Sequence, residues 1–217
     1  PYLKWDEPNV LAVRVDNAEQ PNSRWYSGCG IYRNVWLSKT GPIHVADWGT
    51  YVTTSSVDKG EAVLNLVTTI VNESDAEGRE VAGTRSAGKT ETGREAVFAQ
   101  QLTVKQPELW DIDTPYLYTL VTEVMRNEEC MDRYTTPVGI RTFSFDARKG
   151  FTLNGRQTKI NGVCMHHDLG CLGAAVNTRA IERQLQILKK MGCNGIRCSH
   201  NPPAPELLDL CDRMGFI

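Results

Sequence analysis

The chain has 217 residues, 41% hydrophobic and 23% charged, a globular balance that leaves material for a core and excludes a wholly disordered polypeptide. Its 24 basic and 26 acidic residues give a net charge of −2 with no run of five like charges, which argues against a nucleic-acid arm and a polybasic membrane anchor. The longest uncharged apolar-rich run, residues 62–71, is far too short for a transmembrane helix.

At ~100–200 residues per domain this length predicts one or two domains. The chain starts Pro1-Tyr2-Leu3 without a Met or a signal-peptide pattern and stops at the apolar Gly215-Phe216-Ile217. Both ends read as cuts inside folded elements, so the expectation is a fragment of a longer protein. The compartment, cytoplasm or periplasm, is left open.

Residues 1–40 contain two strand-like runs, 10–15 and 31–37, rich in β-branched and aromatic residues. Between them, Asn22 to Gly30 is a glycine-punctuated loop. Two or three strands are not stable alone, so this block reads as the tail of a larger sheet. Residues 41–137 form an all-β stretch with strand candidates at 44–51, 62–71, 79–84, 96–104, 116–126 and 131–137. Asp58-Lys59-Gly60, Asn72 to Asp75 and Asp113-Thr114-Pro115 supply turns. About a hundred residues of this kind predict a β-sandwich of immunoglobulin type, without the Cys…Trp…Cys signature of antibody domains.

From residue 138 the period changes. Phe151-Thr152-Leu153, Asn154-Gly155 and 156–160 predict a hairpin on a type I′ turn, with a buried strand at 160–163. Asn177 or Thr178 can cap a helix running to Met191, whose Ile181, Leu185, Leu188 and Met191 share a face and whose stop is Gly192. A strand at 194–198 follows, then a helix with Pro205 at its first position and Gly215 at its end, then the start of a third strand at Phe216-Ile217. This β-α-β-α-β order is the start of a parallel α/β fold. Being unfinished, it is expected to leave Leu185, Leu188, Leu207 and Leu210 exposed.

Seven cysteines, an odd number without CxxC spacing, do not support a zinc ribbon or a disulfide framework. Most adjoin apolar residues and read as small buried hydrophobes, favouring a reducing compartment.

In parallel α/β units reactive groups gather beyond the C-terminal ends of strands. Met165 to Gly170 and Arg197 to Pro203 occupy such places and hold three of the four histidines. Arg197 can pair a carboxylate, His166 and His200 can hydrogen-bond a polar ligand, and Asn201 can donate and accept. Three readings compete: satisfied buried polar groups, a zinc site on His166, His167 and Asp168, and a polar substrate pocket. Adjacent side chains rarely converge on one metal and no HExxH helix occurs, which disfavours zinc. Gly28-Cys29-Gly30 lacks the sequence of a phosphate loop, and Ser199 beside His200 is not a triad. Trp25, Trp36, Trp48 and Trp110 read as packing residues, with stacking on sugars as the alternative.

The chain resembles glycoside hydrolase family 2, and within it the bacterial β-galactosidases. The resemblance is carried by residues 9–17, Ser23 to Arg33, Gly139-Ile140-Arg141, residues 151–163, His166-His167-Asp168-Leu169-Gly170 and residues 192–205. It implies three parts: 1–40, the closing strands of a jelly-roll, sugar-binding-like domain; 41–137, an immunoglobulin-like β-sandwich; and 138–217, the truncated start of a (β/α)8 catalytic barrel. The implied fold class is mainly β with an α/β C-terminal part.

The resemblance also implies that the parent hydrolyses terminal β-galactosides with retention, using two glutamates ~5–5.5 Å apart. In the family these lie on later barrel strands, the acid in an Asn-Glu pair. Glu182 and Glu206 do not follow an Asn and fall on predicted helices, so the chain is expected to lack both catalytic carboxylates and to be inactive alone. His166 and His200 match family histidines that contact the sugar. Arg197 matches the strand-tip arginine that orients the glutamates, and Asn201 stands where many relatives carry an aromatic residue. No cofactor or metal is implied. The expected partner is a carbohydrate substrate, with no nucleic acid or membrane, and homo-oligomerisation is admitted. β-Glucuronidase, β-mannosidase and a non-catalytic carbohydrate-binding module are the alternatives.

Overall fold

The computed structural model describes residues 4, 6–16, 18–19, 30–74, 78–79, 89–90, 93–126, 128–200 and 202–217. Its first long element, β1 (Ile43–Asp58), turns tightly into β2 (Glu61–Asn72). Lys59 and Gly60 both take positive φ, 49° and 80°, as a type I′ turn requires. Short β3 (Gly78–Arg79) and β4 (Lys89–Thr90) pair with each other. β5 (Arg94–Lys105) then lies antiparallel along all of β2, giving the order β1-β2-β5. A second sheet pairs β6 (Tyr118–Arg126) with β7 (Glu129–Val138).

Alternation builds the sandwich. Ala62, Leu64, Leu66 and Thr68, at every second position of β2, are buried. The first three meet Val138 and Ile140, with Leu102, Val104, Tyr118 and Leu120 at their margins, so the core fills the space between the sheets. A second cluster of Ile43, Val45 and Val124 closes one end. β1 is twice as long as the candidate at 44–51 because a register shift between Val45 and Thr50, with Trp48 at φ 57°, absorbs a bend without ending the strand. Of the candidate at 79–84, the part from residue 80 on lies outside the described residues.

The runs 10–15 and 31–37 carry no strand, and their apolar residues are exposed. β propensity becomes a strand only beside a partner edge, and among the described residues none flanks these runs.

After β7 the chain forms β8 (Phe143–Asp146), β9 (Gly150–Leu153) and β10 (Arg156–Gln157), in the order β10-β9-β8. Asn154 (φ 51°) and Gly155 (φ 75°) make the type I′ turn read from the sequence. β8, not among the strand candidates, alternates Phe143 and Phe145 with Ser144 and Asp146, and all four are exposed.

β11 (Gly162–Met165) and β12 (Gly195–Cys198) are parallel neighbours joined through α1 (Thr178–Lys190). The Asn177 side chain accepts from the Ala180 N–H, and Lys189 and Lys190 lie at the negative end of the helix dipole. α2 (Pro205–Met214) carries Pro205 in its first turn and ends at Gly215. A Cβ there would lie 2.2 Å from the Ile112 oxygen, and φ is 71°, so both space and conformation select glycine. Phe216-Ile217, read as the start of a third strand, carries no strand, although Ile217 lies along β12: the Ile196 N–H bonds to the Ile217 oxygen (2.7 Å), and the Ile217 N–H to the Asn194 oxygen (2.9 Å). Asn194 also accepts from the Asn161 N–H through its side-chain oxygen and donates to the Lys159 oxygen.

The expected exposure of the helix faces is corrected. Leu185 and Leu210 are buried with Ile181 and Phe216, and Leu188 and Leu207 pack against them. The helices lie on the same side of the short parallel sheet, so each covers the other's apolar stripe. Ile187, Met191 and Leu208 are the exposed apolar positions of the pair.

A third packing unit joins the halves. Trp110, 1% exposed, and Leu153 are buried beside Ile112, with Phe151 and Ile217 against them. Asn154 donates to the Trp110 oxygen, Arg156 holds the Asp111 carboxylate at 2.9 and 3.1 Å, and Lys189 Nζ donates to the oxygens of Ile112 (2.8 Å) and Gly215 (2.9 Å). Of the tryptophans, Trp110 is core, Trp36 and Trp48 are exposed, and Trp25 lies outside the described residues.

Candidate active site

The parallel pair has two chemically different faces. Met165 and Ile196 point to the helices and join their core. Cys164 and Arg197, opposite each other in register, are exposed on the other face. The Arg197 Nη1 donates to the Cys164 sulfur at 3.7 Å. That bond, with a second from Ser199, holds the Cys164 thiol below the ordinary thiol range. The other face behaves oppositely: burial raises Cys198 and pushes Cys211 up to about 12.

The ladder carries one residue past the end of β12. The Ser199 N–H bonds to the Met165 oxygen at 2.8 Å, and Ser199 is buried. His200 then turns into the left-handed region, φ 73°, with its N–H on the Cys198 oxygen. This conformation is sparsely populated by non-glycine residues and throws the imidazole sideways toward the neighbouring strand end. There it meets His166, with ring centroids 6.1 Å apart and planes at 80°. Both rings are exposed.

His167 turns the other way, its ring 5.8 Å from that of Tyr32. Asp168 spends one carboxylate oxygen on the Gly170 N–H. The adjacent side chains of the zinc reading therefore diverge, and no group of three metal-ligating residues converges among the described residues. Asn201 lies outside the described residues, as do motif residues 23–29.

The structure thus brings His166 and His200 together and sets Arg197 on the open face of the same strand pair. Two features were not read from the sequence. One is Cys164 against Arg197, which needs the parallel register. The other is the packing of residues 32–34 onto both histidine-bearing loops, which no local pattern signals. Behind the loops is an apolar pocket of about 60 Å³ lined by residues of both, including Leu169, Val176, Pro202 and Pro203.

An immunoglobulin-like sandwich joined to the first units of a TIM barrel, with histidines at the strand tips, is the architecture of a glycosidase family. The model of glycosyl hydrolases family 2 matches residues 43–141, and the TIM barrel domain of glycosyl hydrolases family 2 matches residues 146–217. The chain belongs to glycoside hydrolase family 2. It is 86% identical to the β-galactosidase BoGH2A of Bacteroides ovatus, over the whole of this chain and 27% of that protein. A putative β-glucuronidase of Formosa agariphila is 36% identical over the whole chain and 21% of its own length. Among solved structures, a family 2 member from Bacteroides cellulosilyticus superposes with a TM-score of 0.83 at 37% identity, covering 90% of this chain and 27% of that one. The β-glucuronidase of Bacteroides uniformis gives 0.82 at 30% identity, covering 94% and 27%. The chain spans about a quarter of the length of these relatives.

Proposed function

We propose that this chain is the middle part of a retaining β-galactosidase. The observation that carries the reading is the 86% identity to BoGH2A along the whole chain. In this reading residues 1–40 close a sugar-binding-like jelly roll, 41–137 are the immunoglobulin-like domain, and 138–217 open the catalytic barrel.

Retaining hydrolysis needs an acid/base and a nucleophilic carboxyl about 5–5.5 Å apart. The reading assigns both to later barrel strands, outside residues 1–217. This chain's share is to bind and orient. His166 and His200 hydrogen-bond hydroxyls of the terminal sugar, and Asn201 is assigned to the same side. Arg197 pairs with a neighbouring carboxylate through its guanidinium and holds it in place. The exposed, mutually adjacent imidazoles and the left-handed backbone at His200 support these roles.

The identity to a putative β-glucuronidase favours a second reading, in which the sugar carries a carboxylate. The test is a panel of nitrophenyl β-galactoside, β-glucuronide and β-mannoside offered to the full-length enzyme that contains this chain. Preference for the galactoside is expected. Preference for the glucuronide would overturn the galactosidase reading and keep the reaction class.

A further inference from the structure

Residues 32–34 touch both loops that carry the candidate histidines. On the first loop, the Val176 N–H donates to the Tyr32 oxygen at 2.8 Å, and the Tyr32 ring lies 5.8 Å from that of His167. On the second, the Arg33 guanidinium donates through Nη1 to the Pro203 oxygen (3.3 Å) and through Nη2 to the Pro202 oxygen. Asn34 donates through Nδ2 to a carboxylate oxygen of Glu206, in the first turn of α2. The Arg33 guanidinium also lies 5.4 Å from the centre of the Tyr32 ring, joining the two sets of contacts.

The chemistry suits a clamp. The carbonyls of Pro202 and Pro203 are acceptors on consecutive residues, and both take a hydrogen bond from the Arg33 guanidinium. A planar guanidinium can serve two neighbouring carbonyls at once, which a point charge cannot do with the same geometry. An apolar pocket lined by residues of both loops and of α1 and α2 lies behind them. The ladder fixes the strand ends as far as Met165 and Ser199; beyond them the His166 and His200 loops are also tied from outside.

We propose that Arg33, with Tyr32 and Asn34, is a positioning element that fixes the two loops relative to each other and so sets the His166–His200 geometry. The kinetic consequence rests on the glycosidase reading; the structural consequence does not. The test uses the full-length enzyme with Arg33→Ala and Arg33→Lys, followed by hydrogen exchange of peptides covering 166–176 and 199–206 and by steady-state kinetics on nitrophenyl β-galactoside. Arg33→Ala is expected to speed exchange in both peptides and to lower kcat about 10- to 100-fold with little change in KM, the scale of a small misplacement of a contacting group. Arg33→Lys, which keeps the charge and loses the fork, should fall between the two and shows that the loss is not one of folding. Unchanged exchange in the two loops would overturn the proposal, as would faster exchange with unaltered kcat. A wild-type enzyme inactive on every glycoside would sink the function reading, and the exchange measurement would then decide the clamp by itself.

Discussion

Trp110 donates its indole Nε1 hydrogen to the main-chain oxygen of Asp212 at 2.7 Å, across 102 positions of sequence. The indole is buried between the sandwich and α2, and the Arg141 guanidinium covers it 4.3 Å from the ring centre. One side chain thus serves the cores of both halves and has its only polar atom satisfied.

Replacing Trp110 separates its contributions. Trp110→Phe keeps most of the apolar area and leaves the Asp212 oxygen without its donor, an expected cost of about 1 kcal/mol. Trp110→Ala also opens a cavity and should cost about 3–5 kcal/mol. Urea denaturation followed by circular dichroism measures both. Equal losses for the two variants would assign the whole effect to the hydrogen bond and none to packing.

Asp212 carries a pH signature. Burial raises its carboxyl above the ordinary range, nearby Asp209 adds to the rise, and Arg141 opposes both. The folded state therefore binds the proton more tightly than the unfolded state. Its stabilisation is fully present below the ordinary carboxyl range and is lost as pH rises through the raised value. Asp212→Asn, neutral throughout, should melt higher than the wild type at pH 7, with the difference shrinking toward pH 4. Thermal melts at the two pH values check this; a difference that grows on acidification contradicts the direction.

Thiol reactivity should divide the cysteines by face. Cys164, exposed and hydrogen-bonded by Arg197, is expected to alkylate with iodoacetamide at pH 7.5 well before Cys211, whose thiol stays protonated with a pKa near 12. Peptide mass spectrometry over a time course reads the order. Arg197→Ala should slow Cys164 and leave Cys211 unaltered. A Cys164 rate indifferent to that substitution would mean the bond does not form in solution.

His200 tests the sugar contact. His200→Asn suits the left-handed backbone and removes the imidazole. In the full-length enzyme it should lower kcat/KM by about 10²–10³ with the fold retained, the scale for losing one transition-state hydrogen bond. The 217-residue chain alone should show no turnover of nitrophenyl β-galactoside above buffer. Wild-type kinetics for the variant would reduce His200 to a structural residue.

The strongly periodic elements were legible because a single face decides them. β2 and α1 bury residues at the period their patterns set, with Met191 the exception, and Asn177, Gly215 and, in the β9–β10 hairpin, Asn154-Gly155 do what their chemistry predicts. The strand-tip segments were legible from the β-α-β-α order, which places His166 and His200 at neighbouring ends. Long-range pairing was not. The exposed helix faces were misjudged because the cover for Leu185 comes from α2 and Phe216, and no local pattern records that. The runs 10–15 and 31–37 form no strand for the complementary reason: propensity is present and, among the described residues, a partner edge is not.

Asn194 connects three segments, bonding through its backbone to Ile217 and Asn161 and through its side chain to Asn161 and Lys159. In a parallel pair only four residues long, a slip of one position would invert the faces of the strand that moves. A slip of β12 would drive Arg197 against the helices and turn Ile196 outward; a slip of β11 would do the same to Cys164 and Met165. The carboxamide blocks that slip by meeting partners that exist in one alignment only. The strand register beneath the histidines is thus held at the opposite end of the strands, by a residue that never approaches them, and is separate from the ties on the loops above.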